Sequence, residues 1–423
     1  MVSPSKPPSV RAIAHVGPAP TSDRPWRLMR HRRWHRIGPV RVEQLVVVEL
    51  ILLGLLALLR QPWWQLAAGG AAGLLVLLVM FAGSGGSWWL ERLALRFRYR
   101  ARRAASRPGR GTDQRLAALR ELSPALSVTT AEERGGRIGV GHDGLGWFAT
   151  AEVRGHTGVI EGGAEPLALG ALARTLLEDE FPVSAIQVVT HTVPAPASML
   201  AAEAPCQTSY RELLGAVGGG SVVHQAQWVT VRLDGEDAAD AAELRGGGTV
   251  GVHRAMAAAL ARVTKAVAGV DRDARALDAD ELLDALVRSC GVIGAGNNSG
   301  GPRTAEEWER WRGDGLTHVA YWIRDWPSVH AEQGGLLADL VADCGVETSL
   351  SVLLRKPLLA ADQETESAVD LQCVVRVMSE PEALRWACGG FVQAAERIGF
   401  GLRLLSGEQA PAVYASAPTG VPR

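Results

Sequence analysis

The chain has 423 residues, with 44 Lys and Arg against 45 Asp and Glu, for a net charge of -1. At about 150 residues per domain this length holds two or three units, and the charge balance excludes a globally basic nucleic-acid binder. Five cysteines, Cys206, Cys290, Cys344, Cys373 and Cys388, form no CxxC pair, which excludes a local zinc motif and fits buried thiols in a reducing compartment.

Residues 1–24 are rich in Pro and Ser and have no apolar period, so they read as disordered, and residues 1–41 as a basic cytoplasmic tail. Seven arginines lie between Arg24 and Arg41 and eight between Arg92 and Arg110. They bracket the most apolar part of the chain. Val42–Leu59 is 18 residues with two charges, Glu43 and Glu49, and Gln65–Ala82 is 18 residues with none. As helices, each would be about 27 Å long, against a hydrocarbon thickness of ~30 Å. Between them, "LALLRQPWWQLAA" carries Pro62, which ends a helix, and Trp63 and Trp64, whose rings suit the membrane interface.

Residues 42–82 are therefore expected to form a two-helix transmembrane hairpin. The arginine-rich flanks place both termini in the cytoplasm and the turn outside the inner membrane. A buried hairpin in a soluble protein fits uncharged runs of this length poorly. No signal peptide is expected, because the apolar run starts late, is doubled and lacks a cleavage pattern. Glu49 lies about two turns into the first span, where a carboxylate seeks a neighbouring helix or the nearby headgroups. Gly69 and Gly73 form a small-residue pair suited to close helix packing.

Residues 83–136 read as a basic juxtamembrane linker. Within it Trp88–Arg107 mixes aromatic and leucine residues with arginines, the composition of a helix lying along anionic headgroups. Strands and helices then alternate. Gly144–Val153, Ile186–Val193 and His224–Leu233 alternate like strands. Pro166–Phe181 and Thr249–Ala268 carry helical stripes, Leu169, Leu172 and Leu176 in the first, and Met256, Leu260, Val263 and Val267 in the second. The order recurs with strands at Leu316–Arg324, Thr348–Leu354, Leu371–Val377 and Gly401–Leu405, and helices at Gly334–Cys344 and Pro381–Ile398. The expected fold is thus α/β (α+β), a duplicated strand-helix-strand-strand-helix module, each half a split β-α-β sheet. Module 1 would cover 137–292, a linker 293–312 around "GVIGAGNNSGG", and module 2 313–423.

Several stretches resemble sites of chemistry. "GGGTVG", Gly246–Gly251, fits GxGxxG, with Asp271 twenty residues after Gly251. A dinucleotide loop, however, needs those glycines directly between a strand and its helix. Here an acidic loop is expected after Leu233, so a flexible helix entry is the simpler reading. Asp271 with Asp273, and Asp278 with Asp280, could offer oxygens to a hard cation, but Asp278 and Glu281 have capping-box spacing. Thr304 and Glu307 repeat that spacing. His142, His156, His191, His224, His253, His318 and His330 are dispersed, with no HxxxH pair among these seven. Neither GxSxG nor GxxxxGK[ST] occurs, so no nucleophile elbow or phosphate loop is present. No catalytic, cofactor or metal residue is assigned. A membrane-tethered enzyme using a nucleotide or nucleotide-sugar remains the alternative function.

The arginine-rich tail, two close spans and Arg/Trp-rich exit precede "RIGVGHDGLGWFATAEV", "IQVVTH", "SYRELLG", "QWVTVRLDGEDAADAAELRGGG" and "LDADELLDAL". In this order they resemble EccE, a membrane subunit of the actinobacterial type VII (ESX) secretion system, from about Arg24 into the second module. The resemblance implies a non-catalytic structural subunit that supports protein export. Its partners would be EccB, the EccC ATPase and EccD, beside anionic lipid headgroups, with no cofactor and no nucleic acid.

Overall fold

The computed structural model describes residues 27–30, 36–37, 40–58, 62–81, 89–105, 113–133, 135–155, 169–178, 183–194, 205, 208–209, 212, 223–268, 272–292, 304–313, 316–327, 337, 340, 347–356 and 368–422. The expectation of disorder for residues 1–24 and most of "GVIGAGNNSGG" lie outside them. Within the tail, β1 (Arg27–Arg30) is a strand, followed by the short pair β2 (Arg36–Ile37) and β3 (Val40–Arg41).

The expected hairpin consists of α1 (Val42–Leu58) and α2 (Trp63–Phe81). Trp63 and Trp64 belong to the first turn of α2 rather than to the connecting turn, and the Gln65 N–H donates to the Pro62 carbonyl at 2.9 Å. Among the described residues, no helix is long and apolar enough to cross a membrane. α1 has 17 residues, and Gln65 beside the tryptophans leaves Leu66–Phe81 as the unbroken apolar run of α2.

α3 (Trp89–Ala105) and α4 (Gln114–Leu119) occupy the stretch expected to be a linker. Then come β4 (Ser127–Glu133), β5 (Gly136–His142), β6 (Gly146–Gly155), α5 (Leu169–Leu177), β7 (Ala185–Pro194), β8 (Val223–Asp234), α6 (Gly235–Glu243), α7 (Gly248–Val267), β9 (Arg272–Ala276) and α8 (Ala279–Cys290). The second half contains β10 (Ala305–Glu306), β11 (Trp311–Arg312), β12 (Thr317–Asp325), β13 (Glu347–Arg355), β14 (Ala368–Ser379), α9 (Leu384–Ile398), β15 (Gly401–Leu404) and α10 (Gln409–Ala415). Of the helix expected at Gly334–Cys344, Leu337 and Leu340 are described; both are helical and buried.

These halves share one large, mostly antiparallel sheet. Its main path is β10-β11-β12-β14-β13-β7-β8-β6-β5-β4, with β9 beside β6, β15 beside β12 and β1 parallel to β14. In the first half the order is β9-β6-β8-β7, and in the second β15-β12-β14-β13, every neighbour antiparallel. In chain terms each is fourth-first-third-second, the order of a β-α-β-β-α-β unit. A hairpin, β4–β5 or β10–β11, precedes each unit and pairs with the start of its first strand. One further helix, α8 or α10, follows each. The units meet edge to edge where β7 and β13 pair from Ala185–Arg355 to Thr192–Thr348.

Both faces of the sheet are covered. On one, α5, α7 and α9 bury Leu172, Leu176, Met256, Leu260, Val263 and Phe391 against the alternate valines of the strands. On the other, α4, α8 and α10 enclose Leu119, Phe148, Trp228, Leu286, Trp311 and Val413. Full burial of side chains this size contributes about 1.5–3 kcal/mol each. This two-sided cover buries the strands on both faces, so polar strand residues such as Thr150, Gln187, Thr230, Ser349 and Ser351 are buried beside the apolar ones.

Candidate functional site

The hairpin helices approach closely at one glycine. A Cβ on Gly73 would stand 2.8 Å from Ile51 Cγ2, so a larger residue there would push α1 and α2 apart. Gly69 is half-buried one turn earlier, while Glu49 is exposed. Glu49 precedes Ile51 by two residues, or about 200° around the helix, and so faces away from α2. Trp63 and Trp64 are 82% and 58% exposed. Leu50, Leu52, Leu53, Leu56, Leu74 and Leu75 are also exposed, a surface that water solvates poorly.

α3 is clamped to the second unit. The Tyr99 ring meets Trp308 edge-on with centroids 5.3 Å apart, and its hydroxyl donates to the Glu306 carbonyl at 3.4 Å. Arg102 donates to both Glu306 carboxylate oxygens, at 3.3 and 3.1 Å, and to the Gly407 carbonyl. Arg96 stands 6.0 Å over the Trp308 ring. Gly407, at φ +77°, lies where a Cβ would fall 2.5 Å from that ring. The capping box expected at Thr304 is absent. The Thr304 N–H and hydroxyl instead donate to Glu121 Oε2 at 2.9 and 2.8 Å, and Ala305–Glu306 is a strand. Glu307 pairs with Arg310 and Arg312 across the hairpin.

The triple glycine joins two helices. Gly246, Gly247 and Gly248 have φ of 99°, 74° and 60°, a region open to glycine at no steric cost. The acidic segment before them, expected to be a loop, is α6, which buries Ala238, Ala241 and Ala242. A dinucleotide loop needs a strand at that point. Asp271 lies outside the described residues, and Asp273 stands opposite Arg154 in the β9–β6 ladder. Asp278 and Glu281 form the expected capping box of α8, at 3.0 Å in both directions. Arg275 binds the Glu281 carboxylate and holds its pKa below the usual range. Among the described residues, no group of three His, Cys, Asp or Glu side chains is placed to hold a metal. A groove of about 660 Å³ beside α7 is lined by alanines, Ile138 and the Glu133–Arg254 pair.

The densest polar arrangement is buried where the two units meet, and sequence reasoning missed it. Arg376 on β14 is fully buried and donates to the Ser289 carbonyl at the end of α8 and to His318 Nδ1 at 3.1 Å. The negative end of the α8 dipole thus faces a guanidinium. Burial drops Arg376 to about 10 and keeps His318 well below its ordinary value. Because His318 Nδ1 accepts, its proton sits on Nε2. Nearby His191, pushed down to about 3 by burial, lies 3.6 Å from Glu347.

The reciprocal contact involves Arg232 on β8. It donates to both oxygens of Asp143, at 2.9 and 3.1 Å, and to the Thr419 carbonyl beyond α10. Gln187 on β7 donates to Ser351 Oγ and the Ala415 carbonyl, and accepts from the Gly420 N–H, each at 2.7 Å. Ser349 and Thr150 donate to the Ser416 and Pro418 carbonyls at 3.2 Å. The helix that follows each unit therefore leads into a carbonyl held by an arginine of the other unit.

The segment that crosses from one unit to the other, from β8 through α8 to β12, contains Arg232, Ser289 and His318, with the Glu306–Trp308 dock of α3. Residues 221–323 match a family model described as "Putative type VII ESX secretion system translocon, EccE". This segment is EccE-like. The EccE match spans the glycine turn and capping box as well, and both have structural roles here. No curated protein matches the chain.

Proposed function

We propose that the chain is a non-catalytic structural subunit of a type VII secretion complex in the inner membrane, where it supports protein export. The EccE match over the segment that joins the two units carries this reading. Such a subunit would have EccB-, EccC- and EccD-type partners. In this proposal α1 and α2 form a two-span anchor with both termini cytoplasmic. Their 17 and 19 residues give about 26 and 28 Å, a shortfall that flanking residues and slight bilayer thinning absorb. Leucines exposed around both helices, with Gly73 against Ile51, support a lipid environment, where small residues let helices pack. Arginines on both outer flanks favour the cytoplasmic side. Glu49, turned away from α2, would face a neighbouring subunit or the headgroups.

The units on either side of the β7–β13 seam read as a duplicated module within residues 137–292 and 313–423. Their repeated strand order supports this. Nothing observed favours a nucleotide-using enzyme. The test is purification of the tagged full-length chain from host membranes in mild detergent. EccB-, EccC- and EccD-type subunits should co-elute in one native band. A chain that migrates alone at its own 44.9 kDa would refute the reading.

A further inference from the structure

We propose that the outward face of α3 is an in-plane docking surface for an anionic bilayer and holds the β10–β11 edge of the second unit against the membrane. This rests on the proposal that α1 and α2 lie in the bilayer. The seven residues between Phe81 and Trp89 let the chain reach at most about 29 Å, so α3 begins near the membrane surface.

The helix is two-faced in a specific way. Leu95, Tyr99 and Arg102 turn inward and are half-buried. The polar contacts of Tyr99 and Arg102 hold α3 to Glu306, Trp308 and Gly407. Ala94, Phe97, Ala101 and Ala104 are all exposed, with Phe97 at 61%. Their spacing puts them on one face, opposite Tyr99. Arg98 and Arg100, both exposed, flank this stripe at about 80° on either side. An apolar strip bordered by cations lies flat at a headgroup boundary, with the ring below the phosphates and the guanidinium groups among them. Water offers neither half of that pattern a good partner. The arginine that would otherwise compete for phosphate, Arg102, is committed to Glu306. The clamp therefore fixes which part of the sheet lies at the membrane, while Leu244, the exposed C-cap of α6 in the first unit, lies outside the clamped region.

A photoreactive benzoylphenylalanine at Phe97 of the full-length chain tests this in vesicles of equal phosphatidylglycerol and phosphatidylcholine. Irradiation should give a phospholipid adduct at Phe97, and little with the probe at Leu244. Arg98→Glu with Arg100→Glu should cut the yield at least about tenfold without changing the urea midpoint. Replacing phosphatidylglycerol with phosphatidylcholine should do the same. If the chain resists alkaline carbonate yet Phe97 gives no more lipid adduct than Leu244, the docking surface is refuted and the anchor stands. If carbonate extracts the chain although Phe97 had labelled lipid, the docking surface stands and the anchor fails. A protein adduct in place of lipid in native membranes would also overturn the proposal.

Discussion

Replacing Gln187 with leucine removes the centre of the polar seam with little change in volume. Gln187 is fully buried and has three partners at 2.7 Å: Ser351 Oγ, the Ala415 carbonyl and the Gly420 N–H. Two of these retain each other, because Ser351 Oγ donates to the Ala415 carbonyl at 3.3 Å. The Gly420 N–H is left without its acceptor, a buried orphan that costs about 1–3 kcal/mol. With the net loss of the other two bonds, the total is roughly 2–4 kcal/mol. Urea unfolding of the full-length chain in detergent micelles, followed by tryptophan fluorescence, measures it, since Trp228 and Trp311 are buried on this face. Gln225→Leu on the neighbouring strand is the control. It removes one 3.5 Å bond, to Thr192 Oγ1, at a half-buried site, and should cost under about 0.5 kcal/mol. If Gln187→Leu unfolds like the control, the C-terminal segment is not held by the seam and the reasoning fails.

Asp143→Ala should cost about 1–3 kcal/mol, because it removes the two-pronged partner of buried Arg232 and leaves Asp234 as its remaining carboxylate. Burial pushes the Asp143 carboxyl up, but the Arg232 guanidinium outweighs this and holds it below the usual range. Its contribution is therefore present above about pH 4, the unfolded value, and is lost as pH falls through the lower folded value. Urea midpoints against pH should show a shallower acid limb in Asp143→Asn than in wild type. Gly247→Ala with Gly248→Ala should destabilise by about 1–3 kcal/mol for each positive φ, and calorimetry should detect no nucleotide binding before or after the change. Saturable binding lost in the double variant would favour an enzyme. Alkaline phosphatase fused at Pro62 should be active and, fused after Ala105, inactive; the reverse would invert the topology.

Much of the fold was legible because its strands carry strong β-formers and its helices carry large apolar residues at helical spacing. In α9, Leu384 and Phe391, seven residues apart on one helical face, are both buried. What escaped lacked those signals. β5 is "GRIGVGH" and β9 is "RDARA", too rich in glycine or charge to read as strands, and they are ordered by the ladders beside them. α6 buries only alanines, so its periodicity was faint. The final "APAVYASAPTG" looks like a loose tail, yet it closes the seam because Gln187, Ser349 and Arg232 take up its carbonyls and N–H groups. The polar face of an interior strand signals such a partner only after the pairing is known. Thr304 shows the opposite error, in which capping-box spacing belonged to a hairpin. Gly69 and Gly73 lie on α2 and Glu49 on α1, and the Gly73–Ile51 approach distinguishes one glycine from the other.

The hairpin as the link between this subunit and a type VII complex is tested most directly by deleting residues 42–81 and following native-gel migration of the membrane complex. The account predicts that the shortened chain keeps its folded sheet, with an unchanged urea midpoint, but leaves the high-mass band and no longer supports export. Full incorporation and normal export without residues 42–81 would contradict it.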